Sequence, residues 1–162
     1  MTKAESKIDL SGLCAVVTGG AKGIGYAVAA RLLRSGASVA LWDINGDLND
    51  KAVAQLSSLG SVQAFGCNVS DYASVEAAAQ ATEAALGRID ILVNSAAIWW
   101  PTQLENVTAE EMRRYFDVNT VGSFLCARAA ANSMRSQPAG GSIVNLGDWA
   151  TVRPYLDHAA YF

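Results

Sequence analysis

Histidine and cysteine are both scarce in this sequence. The single histidine, His158, follows Asp157, and the three cysteines are far apart and form no CxxC pair. One imidazole cannot build a multi-histidine metal site, so we expect no metal. An odd number of scattered cysteines suits reduced thiols in the cytosol better than a disulfide framework.

Basic charge and long apolar runs are also missing. The 12 Lys and Arg residues are scattered, and with 15 Asp and Glu they leave a net charge of −3, so no basic stripe suits nucleic acid. No run reaches the roughly eighteen apolar residues of a membrane span, and the N-terminus lacks the apolar stretch of a signal peptide. We therefore expect a soluble, cytoplasmic protein whose partner is a small-molecule substrate, with no nucleic acid and no membrane.

Short apolar runs alternate with longer alanine-rich segments along the whole chain. With 162 residues, 51% of them hydrophobic, the chain is long enough for one domain with a core, and we take 1–162 as a single domain. Little polar alternation occurs within the apolar runs, so burial on both faces of a parallel sheet is expected. The predicted strands are 13–19, 38–43, 62–67, 89–94 and 142–147.

Helical spacing is found between these strands. Segments 24–36, 46–60 and 72–87 each end in glycine, a common helix stop. A fourth helix begins at "TAEE", where Thr108 is expected to cap the backbone and Glu111 to reciprocate as a capping box. Strands that alternate with helices predict an α/β fold with a parallel sheet.

The glycine-rich stretch "TGGAKGIG", residues 18–25, lies between the first strand and the first helix. A dinucleotide pyrophosphate requires backbone N–H groups at a helix N-terminus, and glycines where a Cβ would block its approach. Gly19, Gly23 and Gly25 meet this requirement, although the spacing is GxxxGxG rather than the common GxGxxG. The alternative is a tight connection without a ligand.

Asp43 ends the second strand, eighteen residues beyond Gly25. A carboxylate there can accept hydrogen bonds from the adenosine ribose hydroxyls, and its charge would repel a 2′-phosphate. NAD is therefore favoured. Lys22 could reach a 2′-phosphate, which keeps NADP compatible with the sequence.

Four motifs and a tyrosine, in order along the chain, resemble the short-chain dehydrogenases/reductases. They are "TGGAKGIG", Asp43, "VNSAA" at 93–97, "VNTVG" at 118–122, and Tyr161. The resemblance covers nearly the whole chain. It implies a doubly wound parallel sheet of the Rossmann type, in strand order 3-2-1-4-5, and hydride transfer between nicotinamide and a small carbonyl or alcohol substrate. It also implies a homo-oligomer for the complete chain.

The resemblance assigns cofactor binding to the glycine turn, to the strand ends and to the tyrosine. These residues are Thr18, Gly19, Lys22, Gly23, Ile24, Gly25, Asp43, Asn68, Val69, Asn94, Ala96 and Tyr161. Asn68 and Val69 match the adenine contacts, with asparagine where the family usually has aspartate, and the amide oxygen can still accept from the adenine amino group. Asn94 either serves the cofactor or ties its strand end to a neighbour, and the two roles are compatible.

The resemblance also implies three catalytic residues. Asn119 matches an asparagine that holds a water for proton relay, Asp148 stands where the family has serine, and Tyr161 matches the acid/base. The family's lysine, four residues beyond the tyrosine, would fall past Phe162. We therefore expect the chain to be the N-terminal part of a longer protein, inactive by itself, truncated after strand 5 and with that strand as an exposed edge.

Asp148 leaves several alternatives open. It could be protonated and donate, be ionised and bind a cationic or N–H group of the substrate, or cap a helix without a catalytic part. Pteridine reductases, a branch of the family, are similar in carrying aspartate there and usually use NADPH. A non-catalytic nucleotide-binding module is a further alternative. The tryptophans Trp99, Trp100 and Trp149 flank the expected cleft and either stack on a flat ring or only pack.

Overall fold

The computed structural model describes residues 8–149 and 152–162. Strands and helices alternate from the start, as the periodicity of the sequence predicts. The strands are β1 (Cys14–Thr18), β2 (Ser38–Asp43), β3 (Val62–Gly66), β4 (Ile91–Asn94) and β5 (Ser142–Asn145). The helices are α1 (Gly23–Arg34), α2 (Gly46–Leu56), α3 (Tyr72–Leu86), α4 (Ala109–Tyr115) and α5 (Gly122–Met134).

All five strands form one parallel sheet in the order β3-β2-β1-β4-β5. The predicted order is confirmed. The sheet order reverses direction between β1 and β4, so the crossovers on either side of this point run to opposite faces. This is the place where an open parallel sheet leaves a crevice at the carboxyl ends of its strands.

Two apolar clusters lie on opposite faces of the sheet. Helices α1 and α2 bury Leu33 and Leu56 against one face. Helices α3 and α5 bury Val75 and Cys126 against the other face. The domain is therefore a three-layer, doubly wound α/β fold of the predicted class.

Burial varies from strand to strand. Strand β1 is buried along its whole length, and β2 and β4 are buried except at their first residues. No residue of β3 is fully buried and the four residues of β5 are exposed, so the expectation of burial on both faces fails at both edge strands, while the expected exposed edge at β5 is found. Of the helices in the described ranges, none is long and apolar enough to cross a membrane.

Short polar side chains begin three of the helices. The side chains of Asn45, Asp71 and Thr108 each accept a hydrogen bond from the backbone N–H three residues later. The reciprocal half of the predicted capping box is wrong, because the Glu111 carboxylate accepts instead from Trp100 Nε1 and Thr102 Oγ1. Those two groups belong to the preceding loop, which gives the side chain two donors at once.

Helices α4 and α5 are joined without a break by a π-helical turn, Phe116–Val121. Such turns admit one extra residue and are frequent at functional sites. Gly122, at the start of α5, lies against Val69, where a Cβ would stand 2.8 Å from the Val69 Cγ2 atom. This contact brings the helix close to the loop after β3.

The buried hydrogen bond between the Trp42 and Thr82 side chains, 2.9 Å long, generates a stability prediction. Thr82→Val keeps the shape but leaves the indole N–H without its acceptor, at a cost of about 1–3 kcal/mol. Urea unfolding should show this loss at an unchanged denaturant slope. Thr82→Ser, which retains the hydroxyl, is the control; equal stability of the valine and serine variants would contradict the prediction.

Candidate functional site

A cleft of about 890 Å³ lies across the carboxyl ends of the strands. The glycine turn after β1 forms one end, and the strand ends and the α4 helix complete its walls. Seven of the predicted cofactor residues line it, namely Gly19, Lys22, Gly23, Asp43, Asn68, Val69 and Ala96. The size and the position at the point of strand reversal suit a dinucleotide.

The glycine turn is built so that backbone can approach closely. Gly19 has φ of +62°, and a Cβ there would lie 2.9 Å from the Ala96 Cα. Gly23 has φ of +57°, and a Cβ on Gly25 would overlap the Gly19 carbonyl oxygen. Gly20 was missed in the sequence, although a Cβ there would meet Leu41 Cδ2 at 2.9 Å. The glycines are thus required by conformation and by contact.

The N-terminus of α1 opens at this turn. Lys22 is its N-cap in extended conformation, and no side chain in the described residues caps the helix. Backbone N–H groups in a first turn carry partial positive charge and bind anions. Because Gly23 lines the cleft, the cradle fits the pyrophosphate of a dinucleotide.

Asp43 is held at the end of β2 by two hydrogen bonds from backbone N–H groups. Its side chain is buried, its Oδ1 accepts from the Asn45 N–H at 3.1 Å, and its Oδ2 accepts from the Ala21 N–H at 3.4 Å. Each carboxylate oxygen retains a second lone pair. The residue can therefore accept from a ligand hydroxyl without giving up either backbone contact.

Asn68 lines the cleft but its amide oxygen is already used. The Oδ1 atom accepts from the Ser70 N–H at 3.2 Å and from the Ser70 hydroxyl at 2.8 Å. Two donors fill the two lone pairs of an amide oxygen, so an adenine amino group would have to displace the Ser70 hydroxyl, and the adenine contact stays a prediction. Val69, beside it, offers an apolar surface to the cleft.

Two of the predicted cofactor residues, Thr18 and Asn94, hold the frame of the site, and their cofactor contacts stay predictions. The Thr18 hydroxyl accepts from the Ser95 and Ala96 N–H groups, both at 3.0 Å, and so joins the ends of β1 and β4. Asn94 Nδ2 donates to the Ser123 carbonyl at 3.1 Å and to the Asn145 Oδ1 atom of β5 at 2.8 Å. The Ile24 side chain is exposed, outside the cleft lining.

Asn119 lies in the π-helical turn and is committed to the loop after β4. Its Nδ2 donates to the Ile98 carbonyl at 3.0 Å, and its Oδ1 accepts from the Ile98 N–H at 2.9 Å. The Asn119 backbone carbonyl accepts from the Ser123 hydroxyl at 3.2 Å. The side chain therefore holds the loop, and its role in a proton relay stays a prediction.

Tyr161 and Asp148 are brought together as the family spacing implies. The Tyr161 hydroxyl donates to Asp148 Oδ2 at 3.3 Å. Burial, followed by the charge and the hydrogen bond of Asp148 and then by Tyr115, raises the pKa of the phenol above its ordinary value. At neutral pH the phenol is protonated and is a proton donor.

The aromatic residues near the cleft have different surroundings. Trp99 is half exposed and stacks on the buried His158, with ring centroids 4.4 Å apart. Trp100 is held by Glu111 and lies under the Arg114 guanidinium at 5.1 Å. Trp149 is exposed. Trp100 therefore packs, as one of the two alternatives expected.

In the described ranges, no grouping of three or more His, Cys, Asp or Glu could hold a metal ion.

Residues 13–162 match the sequence model of the short chain dehydrogenase family. The chain belongs to that family. It is 39% identical to D-threitol dehydrogenase of Mycolicibacterium smegmatis, over 99% of this chain and 64% of the relative. It is also 40% identical to 2-dehydro-3-deoxy-L-rhamnonate dehydrogenase (NAD(+)) of Sphingomonas sp., over 93% of this chain and 59% of that relative.

A solved structure gives the same result for the fold. The chain superposes on a short-chain type dehydrogenase/reductase from Mycobacterium marinum with a TM-score of 0.91 and 30% identity, over 96% of this chain and 64% of that one. The 162-residue chain spans about three fifths of the length of the curated relatives that it matches. Neither curated relative is named a pteridine reductase, so this alternative gains no support.

The close approach of Gly19 to Ala96 yields a binding prediction. Gly19→Ala combines a left-handed backbone with a Cβ clash at the cleft wall, so we expect NADH affinity to fall by about tenfold or more and stability to fall by about 1–3 kcal/mol. Calorimetric titration and urea unfolding measure the two effects. Gly46→Ala is the control, because a Cβ there meets nothing within 4 Å. Unchanged NADH binding by Gly19→Ala would contradict the prediction.

Proposed function

We propose that the protein is an NAD(H)-dependent oxidoreductase that interconverts a secondary alcohol and its carbonyl compound. The observation that carries the proposal is a single cleft with the glycine turn at one end and the fixed Asp43 carboxylate in its wall. Bound nicotinamide would supply hydride transfer to or from a substrate carbon. The chain itself would supply binding groups and a proton carrier.

The preference for NAD rests on the charge of Asp43. A buried carboxylate whose oxygens each retain a lone pair suits the two ribose hydroxyls, whereas a 2′-phosphate would bring like charges together in a partly desolvated wall. Lys22 lines the same cleft and reduces this penalty without removing it. One relative of this chain carries NAD(+) in its name.

Proton transfer is proposed for Tyr161. Its hydroxyl would donate to the carbonyl oxygen during reduction and accept a proton from the alcohol during oxidation. The Asp148 carboxyl group accepts the single proton of the phenol in a hydrogen bond, so the Tyr161 O–H would have to leave Asp148 before it could donate to a substrate carbonyl. Asp148 would orient the phenol and the substrate, and Asn119 would support the relay by fixing the loop.

Turnover by the 162-residue chain alone is expected to be weak. Each neighbouring group in the described residues that acts on the Tyr161 pKa raises it, which makes the phenol a poor base. In the family, a lysine four residues past the tyrosine has the opposite effect, since an ammonium favours phenolate. The non-catalytic nucleotide-binding module is the competing function.

Assembly and location are proposed as well. The continuous helix that contains α4 and α5 exposes Met112, Phe116 and Phe124, which supports a homo-oligomer of the complete protein. The three cysteines are free and buried, which suits the reducing cytoplasm. Gel filtration with light scattering of the complete protein tests the oligomer.

Asp43→Asn tests the cofactor preference. Removing the charge while keeping an acceptor should weaken NADH and strengthen NADPH, so that the ratio of their Kd values changes by about tenfold or more. Calorimetric titration with each cofactor measures the ratio. The control is Asp47→Asn, an exposed neighbour on α2. A parent protein that prefers NADPH would overturn the NAD assignment.

Tyr161→Phe and Asp148→Asn test the proton carrier. Tyr161→Phe should lower turnover about a hundredfold or more, with NADH binding retained.

Asp148→Asn removes the charge that raises the phenol pKa, so phenolate forms at lower pH and the rising limb of alcohol oxidation moves to lower pH. The measurement is kcat/KM against pH for the complete protein, with NAD and secondary alcohols including D-threitol. Dinucleotide binding with no turnover of any alcohol would favour the non-catalytic module.

A further inference from the structure

Three side chains on successive turns of the α4 helix and the π-helical turn face the loop that follows β4. Glu111, Tyr115 and Asn119 are four residues apart, the spacing that places side chains on one face of a helix. Each of them makes two hydrogen bonds with residues 98–102. The loop is thus fastened at three points along its length.

The three fastenings differ in chemistry. Asn119 and Tyr115 bond backbone groups, since the Tyr115 hydroxyl meets both the N–H and the carbonyl of Trp100 at 3.0 Å. Glu111 Oε1 bonds side chains: it accepts from Trp100 Nε1 at 3.0 Å and from Thr102 Oγ1 at 2.6 Å. Bonds to a carboxylate are stronger than neutral ones. Glu111 is therefore the only one of the three that depends on the identity of the loop side chains.

A continuous set of contacts leads from this loop to Tyr161. The Thr102 N–H donates to the Asp157 carbonyl at 2.7 Å, and Thr102 pairs with His158 in a parallel bridge. The Tyr161 N–H donates to the His158 carbonyl at 2.9 Å. From the other side, the Tyr115 ring meets the Tyr161 ring edge-on at 6.0 Å. The segment that carries the phenol rests on the loop that Glu111 holds.

We propose that Glu111 is a positioning residue for Tyr161, which acts through Trp100 and Thr102 to set where the phenol lies beside Asp148. This inference rests on the proposed function in one respect, the role of Tyr161 as the proton carrier. The alternative is that Glu111 contributes stability to the loop without affecting the phenol. The two differ in what happens to Tyr161 when the Glu111 acceptor is removed.

Titration of the Tyr161 phenol by tyrosinate absorbance distinguishes them. The chain contains five tyrosines, so each variant is compared with its own Tyr161→Phe partner to isolate one of them. Glu111→Ala should let the phenol move from its partly buried place against Asp148, and Tyr161 should then titrate at lower pH than in the parent. Glu111→Gln keeps an acceptor for both donors and should titrate as the parent does. A Tyr161 titration unchanged in Glu111→Ala would overturn the proposal.

Two further variants cover the case in which Glu111→Ala does not fold. Thr102→Val and Trp100→Phe each delete one donor to Glu111. Thr102→Val nearly conserves shape, whereas Trp100→Phe also replaces the two-ring indole by a single ring. Each should shift the Tyr161 titration in the same direction, by less than Glu111→Ala does. Glu105→Ala, an exposed carboxylate on the neighbouring turn, should leave it unchanged. The absence of a shift in both donor variants would overturn the proposal.

Turnover provides an independent check in the complete protein. Glu111→Ala should lower kcat for the secondary alcohols about tenfold or more while the Kd of NADH stays within about twofold, because only the substrate side is displaced. A parallel loss of NADH binding would overturn the proposal, since it would place Glu111 with the cofactor cleft. Absence of turnover in the parent, together with the shifted phenol titration, would refute the proposed function and uphold the role of Glu111.

Discussion

The site depends on the close approach of two strand ends, those of β1 and β4. The Thr18 hydroxyl accepts two N–H groups from the turn after β4, and Gly19 leaves no Cβ between the two backbones. Because the sheet order reverses here, this contact forms the floor of the cleft and fixes the start of α1 and of the 95–102 loop together. A wider separation would disturb both the glycine turn and the 95–102 loop.

The features that follow from local pattern were predictable from sequence. Apolar runs separated by helical segments indicated the strands and the parallel sheet, and a glycine-rich stretch between a strand and a helix indicated the turn that now lines the cleft. Asp43 was predictable because its position at the end of β2 places it at the same edge as the glycine turn. These inferences need only the register of neighbouring parallel strands.

The feature that depends on distant partners was not predictable. Glu111 has the spacing of a capping box, a local motif, yet its carboxylate accepts from donors nine and eleven residues upstream. Such a side chain, with several competing partners, is settled by tertiary geometry, for which a single sequence carries no signal. Asn68 differs, because its oxygen is engaged by Ser70, only two residues away, in a local contact that the sequence could have indicated.

The π-helical turn, Phe116–Val121, limits how this part of the sequence can change in length. One residue inserted in or deleted from a helix rotates everything beyond it by about 100°. Upstream of the turn, the helix faces the 98–102 loop; downstream, Cys126, Ala129 and Ala130 face the core. A one-residue deletion here would force one of these faces out of phase with its partner, whereas the bend at 136–141 lies outside any helix and has no phase to keep. Insertions and deletions of one residue should therefore be tolerated in that bend and not in the π-helical turn.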